Sequence, residues 1–348
     1  MTGTENIRIG LVGYGKGGRY FHAPLLAGAD GCELAGAVTL SPERRHELAR
    51  DFPEARPYAS LAELVASGVD AVVVTTPVDT HMELVHEAIA LRTPVVCDKP
   101  FALDAASARE AVTAAEQAGV LLTVYQNRRW DADFRTVARL VDSGELGTVA
   151  RFESRMEQYR PQAGLTPVSG GLLRDFGSHV VDQAMWLFGP VSSVYAEKDA
   201  RADLDGLDTW FFASLHHRDG VTSHLWGDLD LQGGPGWRFR VTGSGGTFAV
   251  ESDDGQADQL LGGRTPASEG AAWGSVPEER WGRLYRAGTG ETVPSEQGDW
   301  TRFYAGLAAA VRGYGPLPVD PWDSVATLEV LDAARTSAEK GQVVEIGR

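Results

Sequence analysis

Ile7-Arg8-Ile9-Gly10-Leu11-Val12, followed at once by Gly13-Tyr14-Gly15-Lys16-Gly17-Gly18, decides the architecture of this chain. The first six residues are a short apolar run of the kind that forms a buried strand. The next six match G-x-G-x-x-G, and the pattern predicts a helix from about Lys16 to Ala27. Each glycine in such a turn has its own reason. The first permits the tight turn, the second lets backbone approach a pyrophosphate, and the third lets helix pack against strand. The helix N-terminus adds unpaired N–H groups and a positive dipole end. Another glycine cluster, Gly243-Ser244-Gly245-Gly246, precedes an apolar run at Thr247 to Val250 and therefore reads as a hairpin.

Outward from the turn, short apolar runs alternate with helical patterns. Strands are expected at Leu34 to Thr39, Val69 to Thr75, Val95 to Cys97 and Leu121 to Tyr125. Helices are expected at Pro42 to Asp51, with Ser41 as N-cap, at Thr80 to Ala90, and at Ala105 to Ala118 before Gly119. This βαβ alternation predicts a doubly wound parallel sheet with helices on both faces, over residues 1–125. Lys99 stands where the strand Val95-Val96-Cys97 runs out, between Asp98 and Pro100. In an open α/β sheet the ligand crevice lies beyond the carboxyl ends of the strands, so Lys99 is a candidate to face a bound molecule.

After Tyr125 the texture changes. Helices at Ala132 to Asp142 and Ser178 to Phe188 are interleaved with longer strands at Val149 to Gln158, Val191 to Glu197, Trp210 to His217, Val221 to Asp228 and Trp237 to Gly243. Arg218-Asp219-Gly220 is a hairpin turn, the glycine supplying positive φ. Residues 126–300 read as an α+β domain with a mostly antiparallel sheet covered on one face. The stretch Asp253 to Asp299 is rich in Gly, Glu and Pro, yet Trp273 and Trp281 indicate that it packs. Residues 301–348, with helices at Trp300 to Arg312 and Trp322 to Lys340 and a strand at Val343 to Ile346, are expected to return to the first domain.

The chain has 348 residues, 43% of them hydrophobic, enough for two cores. A formal net charge of -16 disfavours nucleic acid or an anionic membrane as partner, since both need a concentrated basic surface. Two cysteines, Cys32 and Cys97, are too few for a disulfide framework. No apolar run reaches the roughly 18 residues of a membrane span, and the N-terminus has no secretion pattern, so the expected location is the cytoplasm.

Cofactor choice is written at the end of the second strand, where an acid would hold the 2′-hydroxyl of NAD. The residues there are Thr39, Leu40 and Ser41, with Arg44 and Arg45 beyond. A hydroxyl and cations suit a 2′-phosphate, which favours NADP(H) with NAD(H) as the alternative; the other reading of the arginines is a solvated helix face. The third strand ends in Thr75-Thr76-Pro77 and leads to His81, either a first-turn surface residue or part of the crevice. In the second half, Asp175 and His179 lie at i and i+4 near a helix start, where a carboxylate can hold an imidazole for proton exchange. Asp175 as an N-cap and His179 as a packed residue is the alternative. His216, His217 and His224 cluster near the hairpin without the acids or cysteines of a metal site and read as solvated strand residues.

Taken together, Gly13 to Gly18, Thr76-Pro77 with His81, Asp98-Lys99-Pro100 and Asp175 with His179 resemble the Gfo/Idh/MocA family of NAD(P)-dependent oxidoreductases. Tyr14 to His22, Tyr125-Gln126-Asn127-Arg128-Arg129-Trp130-Asp131 and Tyr159-Arg160-Pro161 look like its NADP-dependent scyllo-inositol dehydrogenase subgroup. The resemblance implies a Rossmann domain followed by a domain with a large open sheet, and homodimers or homotetramers built on that sheet. It implies a polyol or sugar substrate, with Lys99 orienting the reacting hydroxyl, His179 exchanging its proton and Asp175 supporting both. The cofactor would contact Gly13 to Gly18 with Tyr14 and Lys16, then Thr39, Ser41, Arg44, Thr75, Thr76, Pro77, His81, Asp98 and Lys99. Asn127, Arg128, Trp130, Tyr159 and Arg160 are candidates for the remaining hydroxyls, with packing and surface ion pairs as their other reading. No metal is implied. The family usually has glutamate before the lysine, and this chain has Asp98. Other substrates on the same scaffold (an aldose, a keto sugar, a dihydrodiol) and a non-catalytic cofactor-sensing role are the alternatives.

Overall fold

The computed structural model describes residues 6–159, 170–234 and 236–347. The chain divides into two compact units, each assembled from three separate segments. Met1–Asn127, Gly255–Trp273 and Asp299–Ser324 form the first; Arg128–Asp254, Gly274–Gly298 and Val325–Arg348 form the second.

In the first unit, strands β1 (Ile7–Val12), β2 (Cys32–Val38), β3 (Arg56–Tyr58), β4 (Ala71–Val74), β5 (Val95–Cys97) and β6 (Leu122–Val124) make one parallel sheet in the order β3-β2-β1-β4-β5-β6. The central strands β4 and β5 are buried along their whole length, as strands covered on both faces must be. After β1 the chain winds one wide π-type turn over Gly17–His22 and continues into α1 (Ala23–Ala27). Helices α2 (Pro42–Asp51), α3 (Leu61–Ala66), α4 (His81–Ala90) and α5 (Ala105–Ala118) join the remaining strands. Ser41, Ser60 and Asp104 cap α2, α3 and α5, each accepting the backbone N–H three residues on. Gly119 closes α5 in the left-handed conformation. The strand order reverses between β1 and β4, so the loops after these two strands flank the crevice.

The second unit holds α6 (Ala132–Asp142), α7 (Leu172–Asp175), α8 (Gly177–Phe188) and a nine-stranded sheet. Its strands are β7 (Val149–Glu157), β8 (Val191–Lys198), β9 (Trp210–His217), β10 (Thr222–Asp228), β11 (Phe239–Gly243), β12 (Gly246–Val250), β13 (Arg283–Arg286), β14 (Thr289–Thr292) and β15 (Val344–Glu345). They run in the order β14-β13-β12-β11-β7-β10-β9-β8-β15, antiparallel except for the parallel pair β7 and β10. Phe134 of α6 and Phe188 of α8 pack against Phe152 and Phe239 of the sheet, with ring centroids 5.4–6.0 Å apart. Gly220 takes φ +89° in the β9–β10 turn.

The later segments divide differently from the sequence expectation. Residues 255–273, with α9 (Gln256–Leu261) and α10 (Pro266–Glu269), belong to the first unit, and Trp273 is buried. Residues 274–298 belong to the second, where β13 and β14 extend the sheet. Helix α11 (Thr301–Val311) does return to the first unit, but α12 (Pro321–Lys340) passes into the second after Ser324. The expectation that all of 301–348 packs on the first domain is therefore corrected. The edge strand β15 pairs with β8, and Ser337 of α12 donates to Gln342 and accepts from the Ala196 N–H. His217 also departs from the solvated reading. It is buried, with Nδ1 2.8 Å from the Gly189 carbonyl and Nε2 2.8 Å from the Ser223 hydroxyl, and burial lowers its pKa.

Candidate functional site

Both sides of the switch point are built from backbone. Gly13 takes φ +110°, and its carbonyl accepts from the Thr75 hydroxyl at 2.9 Å, tying the turn after β1 to the end of β4. A Cβ on Gly18 would fall 2.3 Å from the Gly13 carbonyl oxygen, so only glycine lets the helix pass this close. A Cβ on Gly15 would meet nothing within 4 Å. That clear space at the start of a helix, with the exposed Lys16 beside it, fits a dinucleotide's pyrophosphate. Tyr14 is buried, its hydroxyl 3.4 Å from Asp51, so the turn offers its backbone rather than its side chain. Burial, with Asp51 beside it, raises the phenol well above its ordinary range.

Beyond β2, the Ser41 hydroxyl accepts the Arg44 N–H as the cap of α2, and the Thr39 carbonyl accepts from the Arg45 guanidinium at 3.0 Å. Arg44 pairs with Glu47 at 2.8 Å, and Glu47 and Asp51 also bind Arg19. No acid stands at the end of β2 itself.

The loops after β4 and β5 are stapled together. His81 is buried, not a surface residue; its Nε2 lies 2.8 Å from the Thr76 carbonyl and its Nδ1 3.0 Å from the Pro100 carbonyl. The Lys99–Pro100 peptide bond is cis. Asp98 turns inward: Oδ1 accepts the Lys99 backbone N–H at 2.7 Å, and Oδ2 lies 3.2 Å from His22 Nε2. Burial pushes the Asp98 carboxyl up, but the opposing pull of His22, then Lys99 and His81, leaves it below its ordinary range. In the sequence, a histidine within a helical run gives no sign of which strand end it will meet.

In the second unit, α7 and α8 are joined by Phe176 in helical conformation, so the backbone stays helical from Leu172 to Phe188. Asp175 and His179 therefore share one face, with His179 in the first turn of α8 and buried. Asp175 is not an N-cap. That work falls to Asp208, which sequence reasoning missed: its backbone carbonyl accepts the Leu172 N–H and its carboxylate the Leu173 N–H, at 3.0 and 2.6 Å. Gly171, at φ +85°, leaves room for it, since a Cβ there would lie 2.2 Å from the carboxylate.

The substrate candidates separate. Asn127 is buried at the end of the first unit and Tyr159 is exposed on an isolated bridge to Asp230. Arg160 lies outside the described residues. Arg128 pairs with the fully buried Asp131 at 3.0 Å, and Arg129 makes two bonds, of 2.9 and 2.6 Å, to Asp182 of α8. Gln183 donates to the Arg128 carbonyl, so α8 holds the whole turn that presents the partly exposed Trp130. Beneath it Arg238 reaches Asp133 at 3.3 Å and Asp131 at 3.9 Å. Burial and the neighbouring Asp254 push Asp131 well above the carboxylate range, and burial takes Asp133 to about 7 despite Arg238. Among the described residues no group of three or more His, Cys, Asp or Glu side chains is arranged to hold a metal ion, and no helix is long and apolar enough to cross a membrane.

Comparison with known proteins matches this geometry at both ends. Residues 7–126 match the oxidoreductase family with an NAD-binding Rossmann fold, and residues 134–249 the GFO/IDH/MocA C-terminal domain. The chain belongs to the Gfo/Idh/MocA family. It is therefore an NAD(P)-dependent oxidoreductase, and its two units are that family's Rossmann domain and open-sheet domain. It is 31% identical to the scyllo-inositol 2-dehydrogenase (NADP(+)) of Bacillus subtilis, over 98% of this chain and 96% of that one. A D-apiose dehydrogenase of Paraburkholderia graminis is 29% identical over 91% of this chain and 84% of its own. A Klebsiella pneumoniae protein described as an oxidoreductase superposes with a TM-score of 0.89 at 34% identity, covering 99% of this chain and 96% of that one.

Proposed function

We propose that this Gfo/Idh/MocA protein is an NADP(H)-dependent dehydrogenase of a cyclitol or sugar CH–OH group, of the scyllo-inositol dehydrogenase type. The observation that carries the reading is the place of Lys99, at the carboxyl end of β5 beside the β1–β4 switch point, with its own N–H clamped by the partly buried Asp98 carboxylate. Its ammonium donates hydrogen bonds to the substrate oxygen and stabilises the negative charge that develops there as the hydroxyl proton leaves. His179 takes the hydroxyl proton in oxidation and returns it in reduction. Asp175, one helical turn earlier on the same face, holds the imidazole in orientation. The nicotinamide, when bound, supplies the hydride chemistry. Ser41 and Arg44, with no acid at the end of β2, support a preference for the 2′-phosphate; Arg44 would exchange its Glu47 partner for it. Arg128 and Arg129 serve as supports for Trp130, given their buried acidic partners. Homodimers or homotetramers form through the uncovered face of the nine-stranded sheet, and the protein works in the cytoplasm.

The test is a screen for NADP⁺ reduction over inositols, aldoses (D-apiose among them) and sugar acids, run in reverse with the matching ketones. Lys99→Met and His179→Ala should each lower turnover on the best substrate by about 10²–10⁴-fold while NADPH still binds. Near-normal rates in either variant overturn the assignment. Dissociation constants for the two cofactors decide the preference, and tighter binding of NADH than NADPH reverses it.

A further inference from the structure

His22 is fully buried and has no part in the chemistry just assigned, yet it touches the residue beside Lys99. Its ring lies tilted against Tyr125, with centroids 4.2 Å apart, and the Tyr125 hydroxyl donates to the Phe21 carbonyl at 3.2 Å and fixes the helical turn that carries it. Nδ1 lies 2.6 Å from the Tyr304 hydroxyl of α11, and Nε2 lies 3.2 Å from Asp98 Oδ2. Tyr304 is itself fully buried. The proton inventory of this row follows from its ends. A carboxylate only accepts, so any proton between the two sits on the nitrogen facing Asp98, across a close contact that is not aligned as a hydrogen bond. On its other side Nδ1 shares one proton with the Tyr304 hydroxyl across 2.6 Å. The other carboxylate oxygen accepts the Lys99 N–H. One row of contacts therefore runs from α11, through the helix after the glycine turn, to the backbone of Lys99.

We propose that His22 and Tyr304 are positioning residues for Lys99: together they hold the Asp98 carboxylate in the rotamer whose second oxygen clamps the Lys99 backbone. The shorter acid that this chain carries before its lysine suits that geometry, because Oδ2 also lies under the glycine turn, 3.4 Å from where a Cβ of Gly17 would be. A longer carboxylate would have to displace either the ring or the turn. The groups facing Asp98 are His22 from the helix after β1, Lys99 beside it and His81 from α4, with Tyr304 behind His22. Of these, only His22 and the Lys99 amide meet its two oxygens in the described contacts. The inference rests on the catalytic reading of Lys99, but half of its test does not.

That half is amide hydrogen exchange by NMR in the full-length protein without cofactor. In His22→Gln and in Asp98→Asn, the Lys99 amide should exchange at least about tenfold faster relative to the Val96 amide, which lies within β5. Tyr304→Phe, which keeps the ring, should show a smaller change of the same sign, and it carries the test if His22→Gln does not fold. The other half is turnover with scyllo-inositol and NADP⁺, or with the best substrate of the screen. His22→Gln should lose roughly tenfold to a hundredfold in kcat, the cost of a misplaced catalytic group, with the NADPH dissociation constant within about threefold of wild type. A general loss of stability would speed exchange at both amides alike and leave kcat of the folded enzyme untouched, and that result overturns the proposal. So does selective exchange at Lys99 without loss of kcat, or loss of kcat without selective exchange. Lys99→Met, run alongside, separates the two readings. If it stays active, the catalytic assignment fails and the positioning role with it, whatever the exchange data show. If it is dead while His22→Gln and Tyr304→Phe turn over normally, the positioning role fails alone.

Discussion

Gly15 and Gly18 stand three residues apart and do opposite work. Gly18 is pressed against backbone, and a methyl there would lie 2.3 Å from the Gly13 oxygen and 2.8 Å from the Thr75 hydroxyl. Gly15 touches nothing that a methyl would reach. Gly18→Ala should therefore cost about 1–3 kcal/mol of stability as the turn opens to relieve the clash. Gly15→Ala should leave the melting temperature unchanged while weakening NADPH binding roughly tenfold, because the methyl takes the space where a phosphate would approach backbone. Thermal unfolding and fluorescence titration of both variants check this. A Gly15→Ala protein that binds NADPH normally would show that the pyrophosphate lies elsewhere. The motif assigns the second glycine to the pyrophosphate and the third to packing, and the two clearances fit that division, with open space at Gly15 and backbone against Gly18.

At the level of elements, most of the parallel sheet was legible, because strands buried on both faces spell uninterrupted apolar runs and capped helices announce their starts. Strand β3 (Arg-Pro-Tyr) and helix α3 escaped notice. The strand lies at the sheet edge with little apolar signal, but the helix had a readable start: Ser60 caps Glu63, and the Glu63 carboxylate accepts from the Ala59 N–H. In the proposed site, Lys99, Asp175 and His179 are residues that sequence can single out, because they stand near element ends. His22, Asp208 and Arg238 are not, because contacts across 35 or more residues leave no local pattern. The start of α6 makes its own prediction. Asp133, about 7 in the fold against 3.8 in the unfolded chain, binds its proton more tightly when folded. Stability should therefore fall as the pH rises through that interval and level off above it. Asp133→Asn should be less stable throughout, since Arg238 loses a partner, yet lack most of that slope. Unfolding midpoints at intervals between about pH 5 and 8 measure it, and a slope that survives the substitution assigns it to another group.

For the molecule as a whole, the uncovered face of the nine-stranded sheet is the feature with consequences for assembly. Alternation along β7 and β10 turns Phe152, Ser154, Met156, Ser223 and Leu225 into the core and leaves Arg155, His224 and Trp226 on the other side. There Trp226 packs at 5.3 Å against Phe212 and carries the Arg155 guanidinium 3.8 Å above its ring. Aromatic side chains capped by arginine are the composition of a protein interface core. Sedimentation should show a dimer or tetramer at micromolar concentration, and Trp226→Asp combined with Phe212→Asp should yield monomers; a monomeric wild type removes this face from the proposal. The segment plan of the two units bears on how the molecule is made. Tyr304, which seats His22, and Trp300, whose N–H is held by Gln256, belong to the nucleotide-binding unit but emerge from the ribosome after most of the other unit. That unit's fold thus stays unfinished during synthesis until its last segment, ending at Ser324, has been translated, and a fragment cut at Asn127 would strand the histidine beneath its glycine turn.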